Sequence, residues 1–155
     1  ARSHDLLVSQ DWTGVDLASL ARQQLAPFID PGDGRVVLDG PALILKPEIA
    51  QNLGMAFHEL ATNASKYGAL SVPGGRVELT WENMVGSGPR TLRIEWREHG
   101  GPPCTPPTRR GFGRNVVEDM IAAATQGEAR VDWRPEGMHW RLDMPASCLV
   151  GEDSR

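Results

Sequence analysis

Three segments of the chain carry apolar residues at the three- and four-residue spacing that is typical of an amphipathic helix. The first helix is predicted over residues 15–26, the second from Pro47 to about Gly68, and the third over residues 114–126. Proline is tolerated at the first position of a helix and glycine is common just past its end, so both support the bounds of the long central helix. The apolar stripe of that helix consists of Ile49, Leu53, Phe57, Leu60, Ala64 and Tyr67.

Four further segments alternate apolar and charged residues, which is the pattern of a strand with one buried face. These strands are predicted at 76–82, 91–98, 128–134 and 138–144. Residues 35–45 are predicted to form a hairpin, because Asp39-Gly40 is a strong turn dipeptide. Amphipathic helices can cover only the apolar face of such a sheet. We therefore predict an α/β (α+β) two-layer sandwich, with a mixed, mostly antiparallel sheet and helices on one face.

Composition narrows the class of protein. The 155 residues suggest one domain, and 16 basic against 20 acidic residues argue against a protein that binds nucleic acid by bulk positive charge. No apolar run approaches the roughly 20 residues of a membrane-spanning helix, and the first residues lack the apolar core of a signal peptide. Cys104 and Cys148 provide neither a zinc framework nor a disulfide scaffold. These features favour a cytoplasmic setting, with no membrane contact from this part of the protein.

The long central helix carries a polar stripe opposite its apolar one. At about 100° per residue, its members fall within about 60° of one another. They are Asn52, Glu59, Asn63 and Lys66. Carboxylate and amide oxygens are suitable Mg²⁺ ligands, and a lysine suits a phosphate group. The alternative is an ordinary solvated helix face, which is what charges on helices usually mean.

Glu98 is a second candidate, because counting by two along its strand places it on the face that the helices cover. An unpaired buried charge is costly, so this acid would be partnered or would lie at the open end of the layer. Together with Gly100-Gly101, it is predicted to form the wall of a pocket. In the alternative, the strand ends at Trp96 and Glu98 lies in a loop.

Gly111-Phe112-Gly113 precedes the third predicted helix, and backbone N–H groups at such a helix start can bind an anion. Many helices begin after glycine, so this signal is weak by itself. The proline-rich residues between Glu98 and Gly111 would be either a mobile cover over a site or a long surface loop.

These motifs, in this order, resemble a known family. HELATNASKYGAL, residues 58–70, is similar to the N box of the Bergerat-type ATP-binding domains of histidine kinases, gyrase-like ATPases and Hsp90-like chaperones. His58 together with Trp96-Arg97-Glu98 matches the signature of the HWE subfamily of bacterial sensor histidine kinases. The resemblance covers residues 1–145, of which 1–14 would be a residual linker, and residues 146–155 would be a flexible tail.

The resemblance implies a Bergerat ATP-binding fold, with ATP and Mg²⁺ as cofactors. Asn63 would hold the metal, and Glu59 would assist it or the phosphoryl-transfer step. Glu98 takes the place of the acid that accepts a hydrogen bond from the adenine amino group. The other implied nucleotide contacts are His58, Lys66, Tyr67, Gly100, Gly111, Phe112 and Gly113. His58 and Trp96 define the subfamily, and a packed structural role stays open for both.

The implied activity is that of a sensor histidine kinase, a protein-histidine phosphotransferase of two-component signalling. The domain would donate the γ-phosphoryl group of ATP to a histidine on a separate dimerisation domain of the same full-length protein, with a response regulator downstream. His4 is not expected to be the acceptor, because Trp12 and Gly14 leave no room for a pair of long helices before the helix that begins near residue 15. The chain is therefore expected to be a catalytic domain from a longer protein.

Two alternatives stay open. A stand-alone GHKL-type ATPase, or a serine kinase of the anti-sigma-factor type, would share the nucleotide site without the histidine acceptor. A non-catalytic nucleotide-binding module would keep the fold without the chemistry.

Overall fold

The computed structural model of the protein describes residues 14–30, 32–103 and 112–151. The strands are β1 (Val15–Asp16), β2 (Val36–Asp39), β3 (Ile44–Leu45), β4 (Arg76–Met84), β5 (Thr91–His99), β6 (Glu128–Arg134) and β7 (Gly137–Pro145). The α-helices are α1 (Leu17–Leu25), α2 (Pro47–Lys66), α3 (Phe112–Asn115) and α4 (Ile121–Thr125). Short 3-10 turns lie at Ala26–Phe28, Ala69–Ser71 and Ala146–Cys148.

The main sheet has five strands in the order β2-β4-β5-β7-β6. The β2–β4 pair is parallel, and the other three pairs are antiparallel. Helices α1 and α2 lie over its apolar face, where Phe57 of α2 meets Trp140 of β7 edge-on, with ring centroids 6.5 Å apart. The opposite face carries charged pairs, among them Arg93 and Asp143, whose Nε and Oδ1 atoms are 2.8 Å apart. The predicted two-layer sandwich with a mixed, mostly antiparallel sheet is confirmed.

The predicted hairpin over residues 35–45 is wrong. Strand β2 pairs in parallel with β4, and β3 pairs antiparallel with β1 in a separate two-stranded sheet. Gly40 is needed here for close packing, because a Cβ at this position would overlap the indole ring of Trp81. That indole donates from Nε1 to the carbonyl oxygen of Pro41 at 2.8 Å, so the turn dipeptide lies against the sheet.

The packed part of the chain extends past the predicted limit at residue 145. Cys148 and Leu149 are buried, and Leu149 forms a bridge with Leu45 of β3. The predicted flexible tail therefore does not begin at residue 146, because apolar residues beyond that point pair with β3. Residues 152–155, and the predicted linker up to residue 13, lie outside the described residues.

The predicted helix over 114–126 forms with a change of winding. Helices α3 and α4 are joined by a π-helical stretch at Val116–Met120. A left-handed Gln126, with a φ of 56°, ends the helix just before Gly127, where the sequence predicts a stop. None of the helices in residues 14–30, 32–103 and 112–151 combines the length and the hydrophobicity of a membrane-spanning segment.

Candidate functional site

The polar face of α2 forms as predicted, because the apolar stripe of the helix turns toward the sheet. Leu53, Phe57 and Leu60 are fully buried or nearly so. Glu59 and Asn63, one turn apart, are half-buried, and Lys66 in the last turn is exposed. The side chain of Asn52 bonds to its own helix: its amide nitrogen donates to the backbone oxygen of Glu48, one turn earlier, at 2.8 Å. A carboxylate, an amide and an ammonium group thus share the C-terminal half of one helix face.

Glu98 lies inside β5 on the helix-covered face, and its alternative placement in a loop is wrong. Only 6% of the residue is exposed. Oε1 accepts a hydrogen bond from the backbone N–H of Ala69, and Oε2 accepts one from the indole Nε1 of Trp96, each at 3.0 Å. Burial raises the pKa of the Glu98 carboxyl above its usual value, and the two hydrogen bonds oppose that rise because they favour the charged form.

Glu98 fits into its position because two neighbouring residues are glycines without a side chain. A Cβ at Gly68 would overlap Oε1 of Glu98, and a Cβ at Gly137 would lie 2.7 Å from its carbonyl carbon. Gly100 has a φ of +72°, a backbone conformation that side chains rarely adopt, and it lies against the loop at Gly74. The acid is therefore enclosed by backbone on several sides.

A guanidinium group holds the loop that supplies the Ala69 N–H. Arg35 donates from Nε to the carbonyl oxygen of Gly75 at 3.0 Å and from Nη2 to that of Ala69 at 3.2 Å. It also donates to the carbonyl oxygen of Val72. Three carbonyls of one loop converge on this side chain, which suits the fixed fork of an arginine better than a lysine.

The structure brings Glu98 together with the C-terminal end of α2. Ala69 lies two residues after Tyr67, with Gly68 between them. Tyr67 is 75% exposed, so its predicted place on the apolar stripe of the helix is wrong. At about 1.5 Å per residue, Glu59 lies about 13 Å back along the helix from Gly68. The candidate site is therefore elongated, with a buried acid at one end and a half-buried acid at the other.

His58 does not reach the Glu98 end of the site. It is exposed, and its ring meets Phe28 edge-on with centroids 5.6 Å apart. Together with Glu59, it lines a cavity of about 800 Å³ between α1, residues 47–59 of α2 and the π-helical stretch. The cavity walls are mainly apolar, and Met55 and Val116 are among the residues that line it.

Gly111 lies outside the described residues, and Phe112 and Gly113 are described only as the start of α3. The predicted role of these three residues therefore stays a prediction.

A metal site made by the protein alone is absent from residues 14–30, 32–103 and 112–151, where no three His, Cys, Asp or Glu side chains are grouped to hold an ion. Mg²⁺ usually binds through one or two protein oxygens together with substrate phosphates. The oxygens of Glu59 and Asn63, one helical turn apart, fit that limited role.

Sequence reasoning missed three contributors to the site: Arg35, Gly68 and the hydrogen bond from Trp96. The link between Trp96 and Glu98 had a signal, because residues two apart on a strand share a face. No sequence signal indicated the contacts of Arg35 and Gly68, because their partners are 30 to 40 residues away in the chain.

Comparisons with known proteins agree with the fold and with the resemblance to histidine kinases. The family model of the HWE histidine kinases matches residues 1–42. A blue-light-activated histidine kinase of Brucella anthropi is 34% identical over 138 residues, which cover 89% of this chain and 28% of the relative. The chain thus spans less than a third of the length of the curated relatives it matches.

Two solved structures illustrate the likeness of fold. The histidine kinase domain of the blue-light-activated histidine kinase of Erythrobacter litoralis has a TM-score of 0.60 and 21% identity, covering 84% of this chain and 59% of that domain. Full-length ShkA in complex with AMPPNP has a TM-score of 0.58 and 20% identity, covering 91% of this chain and 32% of ShkA.

Proposed function

We propose that this chain is the catalytic domain of a histidine kinase of the HWE type, and that it binds Mg-ATP and donates the γ-phosphoryl group to a histidine on a separate dimerisation domain. The support is its similarity to the HWE histidine kinases. The observation that carries this proposal is the position of the buried Glu98 carboxylate of β5. It lies near the C-terminal end of α2, whose polar face bears Lys66, Asn63 and Glu59. An extended nucleotide has the same order of parts: a base, then a chain of phosphates with a metal ion.

At the base end, Glu98 supplies an acceptor for the adenine amino group. An ionised carboxylate has about four acceptor positions, and the donors from Ala69 and Trp96 use two of them. The remaining positions can accept from the nucleotide. Gly100 allows the backbone to approach the base closely, and the exposed ring of Tyr67 would lie beside it.

At the phosphate end, the residues of α2 orient the nucleotide and offset its charge. The Lys66 ammonium is exposed and suits a phosphate oxygen, while Asn63 and Glu59 supply oxygens for Mg²⁺. The metal, when bound, neutralises charge on the phosphates. Phosphoryl transfer depends largely on positioning and electrostatic stabilisation, which such side chains provide.

The acceptor histidine belongs, in this proposal, to another part of the full-length protein, and a response regulator acts downstream. The support is the relative from Brucella anthropi, a named histidine kinase of which this chain matches about a quarter. ShkA, which is similar in fold, was solved in complex with AMPPNP, and this supports nucleotide binding in the proposal.

The proposal is tested by an Asn63→Ala variant, with Mg-ATP affinity measured by titration calorimetry. We expect Mg²⁺-dependent binding to be lost. Asn52→Ala is the matched control, because it makes the same change on the same helix, at an amide that donates to the backbone oxygen of Glu48. Equal Mg-ATP affinity in the wild type and Asn63→Ala would refute the assignment.

A further inference from the structure

We propose that Trp96 is a positioning residue for base recognition, which holds the Glu98 carboxylate in the orientation that selects adenine over guanine. This inference rests on the proposed nucleotide-binding function and assigns a mechanistic role to Trp96. A hydrogen bond joins the two side chains, from the indole Nε1 of Trp96 to Oε2 of Glu98.

The donor is held firmly by the core. Trp96 is fully buried in the middle of the sheet, where its strand neighbours are Leu79 of β4 and Trp140 of β7. A ring of this size cannot turn without displacing close-packed neighbours. Its Nε1–H therefore points to one place, which is occupied by Oε2 of Glu98 at 3.0 Å.

A second fixed donor completes the arrangement. The N–H of Ala69 bonds to the other carboxylate oxygen, also at 3.0 Å, and it is held by the loop that Arg35 clamps. With one donor on each oxygen, the carboxylate cannot rotate about its terminal bond without losing both hydrogen bonds. The acceptor positions left over consequently have fixed directions.

Fixed acceptors discriminate between purine bases. Adenine presents an amino donor at the position where guanine has a carbonyl acceptor, and two acceptors facing each other leave both without a partner. A buried polar group without a partner is costly, so rejection is strong when the site cannot rearrange. A carboxylate that turns freely could adjust to the wrong base, and one held by Trp96 and Ala69 cannot.

The choice of Glu at position 98 fits this role. A glutamate has one more rotatable bond than an aspartate, so it needs more support to present one orientation. Gly68 leaves room for the longer side chain, because a Cβ there would lie 3.2 Å from Cδ of Glu98. The glycine, the loop N–H and the indole together determine where the carboxylate lies.

The test compares Trp96→Phe with Trp81→Phe, using calorimetry with Mg-ATP and Mg-GTP on the full 155-residue chain. Trp81 is the matched control, because it is also a buried tryptophan of the same sheet, but its Nε1 donates to Pro41. We expect Trp96→Phe to lower the affinity ratio of ATP to GTP about tenfold, the effect of losing a hydrogen bond to a charged group. We expect Trp81→Phe to keep the wild-type ratio. A structural role alone would lower the melting temperature of both variants and leave both ratios unchanged.

A measurement on the wild type keeps the inference falsifiable if Trp96→Phe does not fold. The ¹⁵N-indole resonance of Trp96 should shift when Mg-ATP is added, and that of Trp81 should not. An unchanged Trp96 resonance at saturating Mg-ATP, or an unchanged ratio in Trp96→Phe, would overturn the inference while the proposed function stands. A wild type that binds neither nucleotide would overturn the proposed function, and this inference with it.

Discussion

Gly68→Ala perturbs the Glu98 site with a single methyl group. The new Cβ would overlap Oε1 of Glu98 and lie 3.1 Å from Cα of Ala64, which is backbone and cannot yield easily. The carboxylate must then move away from the N–H of Ala69. A buried charged group that loses a hydrogen bond costs about 1–3 kcal/mol, so we expect a loss of that size in the free energy of unfolding.

Shortening the acid should reverse part of this loss. Glu98→Asp withdraws the carboxylate by one methylene, which makes room for a Cβ at Gly68. Alone, it leaves the donors of Ala69 and Trp96 without their partner, at a cost of again about 1–3 kcal/mol. In the double variant, we expect the loss in the free energy of unfolding to be smaller than the sum of the two single losses, by about 1 kcal/mol or more.

The assay is urea unfolding followed by circular dichroism for the wild type, both single variants and the double variant. For a domain of this size, each 1 kcal/mol corresponds to about 2–4 °C in melting temperature. Gly74→Ala is the control, because a Cβ there meets nothing within 4 Å. The reasoning fails if Gly68→Ala is no more destabilising than Gly74→Ala, or if the effects of Gly68→Ala and Glu98→Asp add.

Two further predictions concern the same site. The pKa of the Glu98 carboxyl is raised in the folded state. As the pH rises, this carboxyl therefore loses its proton at a lower pH in the unfolded chain than in the folded one. The free energy of unfolding should therefore fall as the pH rises from about 4.5 through the folded-state pKa. Glu98→Gln should remove that slope in urea titrations at a series of pH values, and an unchanged slope would contradict the assignment. Arg35→Lys cannot span the carbonyls of Ala69, Val72 and Gly75, so the Ala69 amide should exchange its hydrogen faster. The same change at exposed Arg76 is the control, and equal protection of Ala69 in both variants would count against the clamp.

Local patterns were sufficient wherever an element depends on its own residues. The helical spacing predicted α1 and α2, and the alternation predicted β4 to β7, with Glu98 either on the covered face or in a loop after Trp96. Those features follow from the period of a helix or a strand, which a sequence displays directly. The motif at residues 58–70 indicated the kinase family only through its resemblance to a known N box, which lies in one continuous stretch of the sequence.

Which distant segments meet could be learned only from the folded chain. Residues 35–45 carry a genuine turn dipeptide, yet β2 pairs with β4 and β3 with β1, because pairing partners depend on burial across the whole layer. Cys148 and Leu149 pack for the same reason, beyond the predicted end of the domain.

The features of the candidate site also fall into two groups: those that local sequence predicts and those that depend on distant segments. From the sequence, a polar face along α2 could be predicted, and an inward Glu98 was one of two placements, which the strand β5 resolves. Only the folded chain decided what holds the acid: the N–H of Ala69, 29 residues away, and the space at Gly68. Such contacts depend on distances of a few ångströms between segments far apart in the chain, and no local periodicity encodes them.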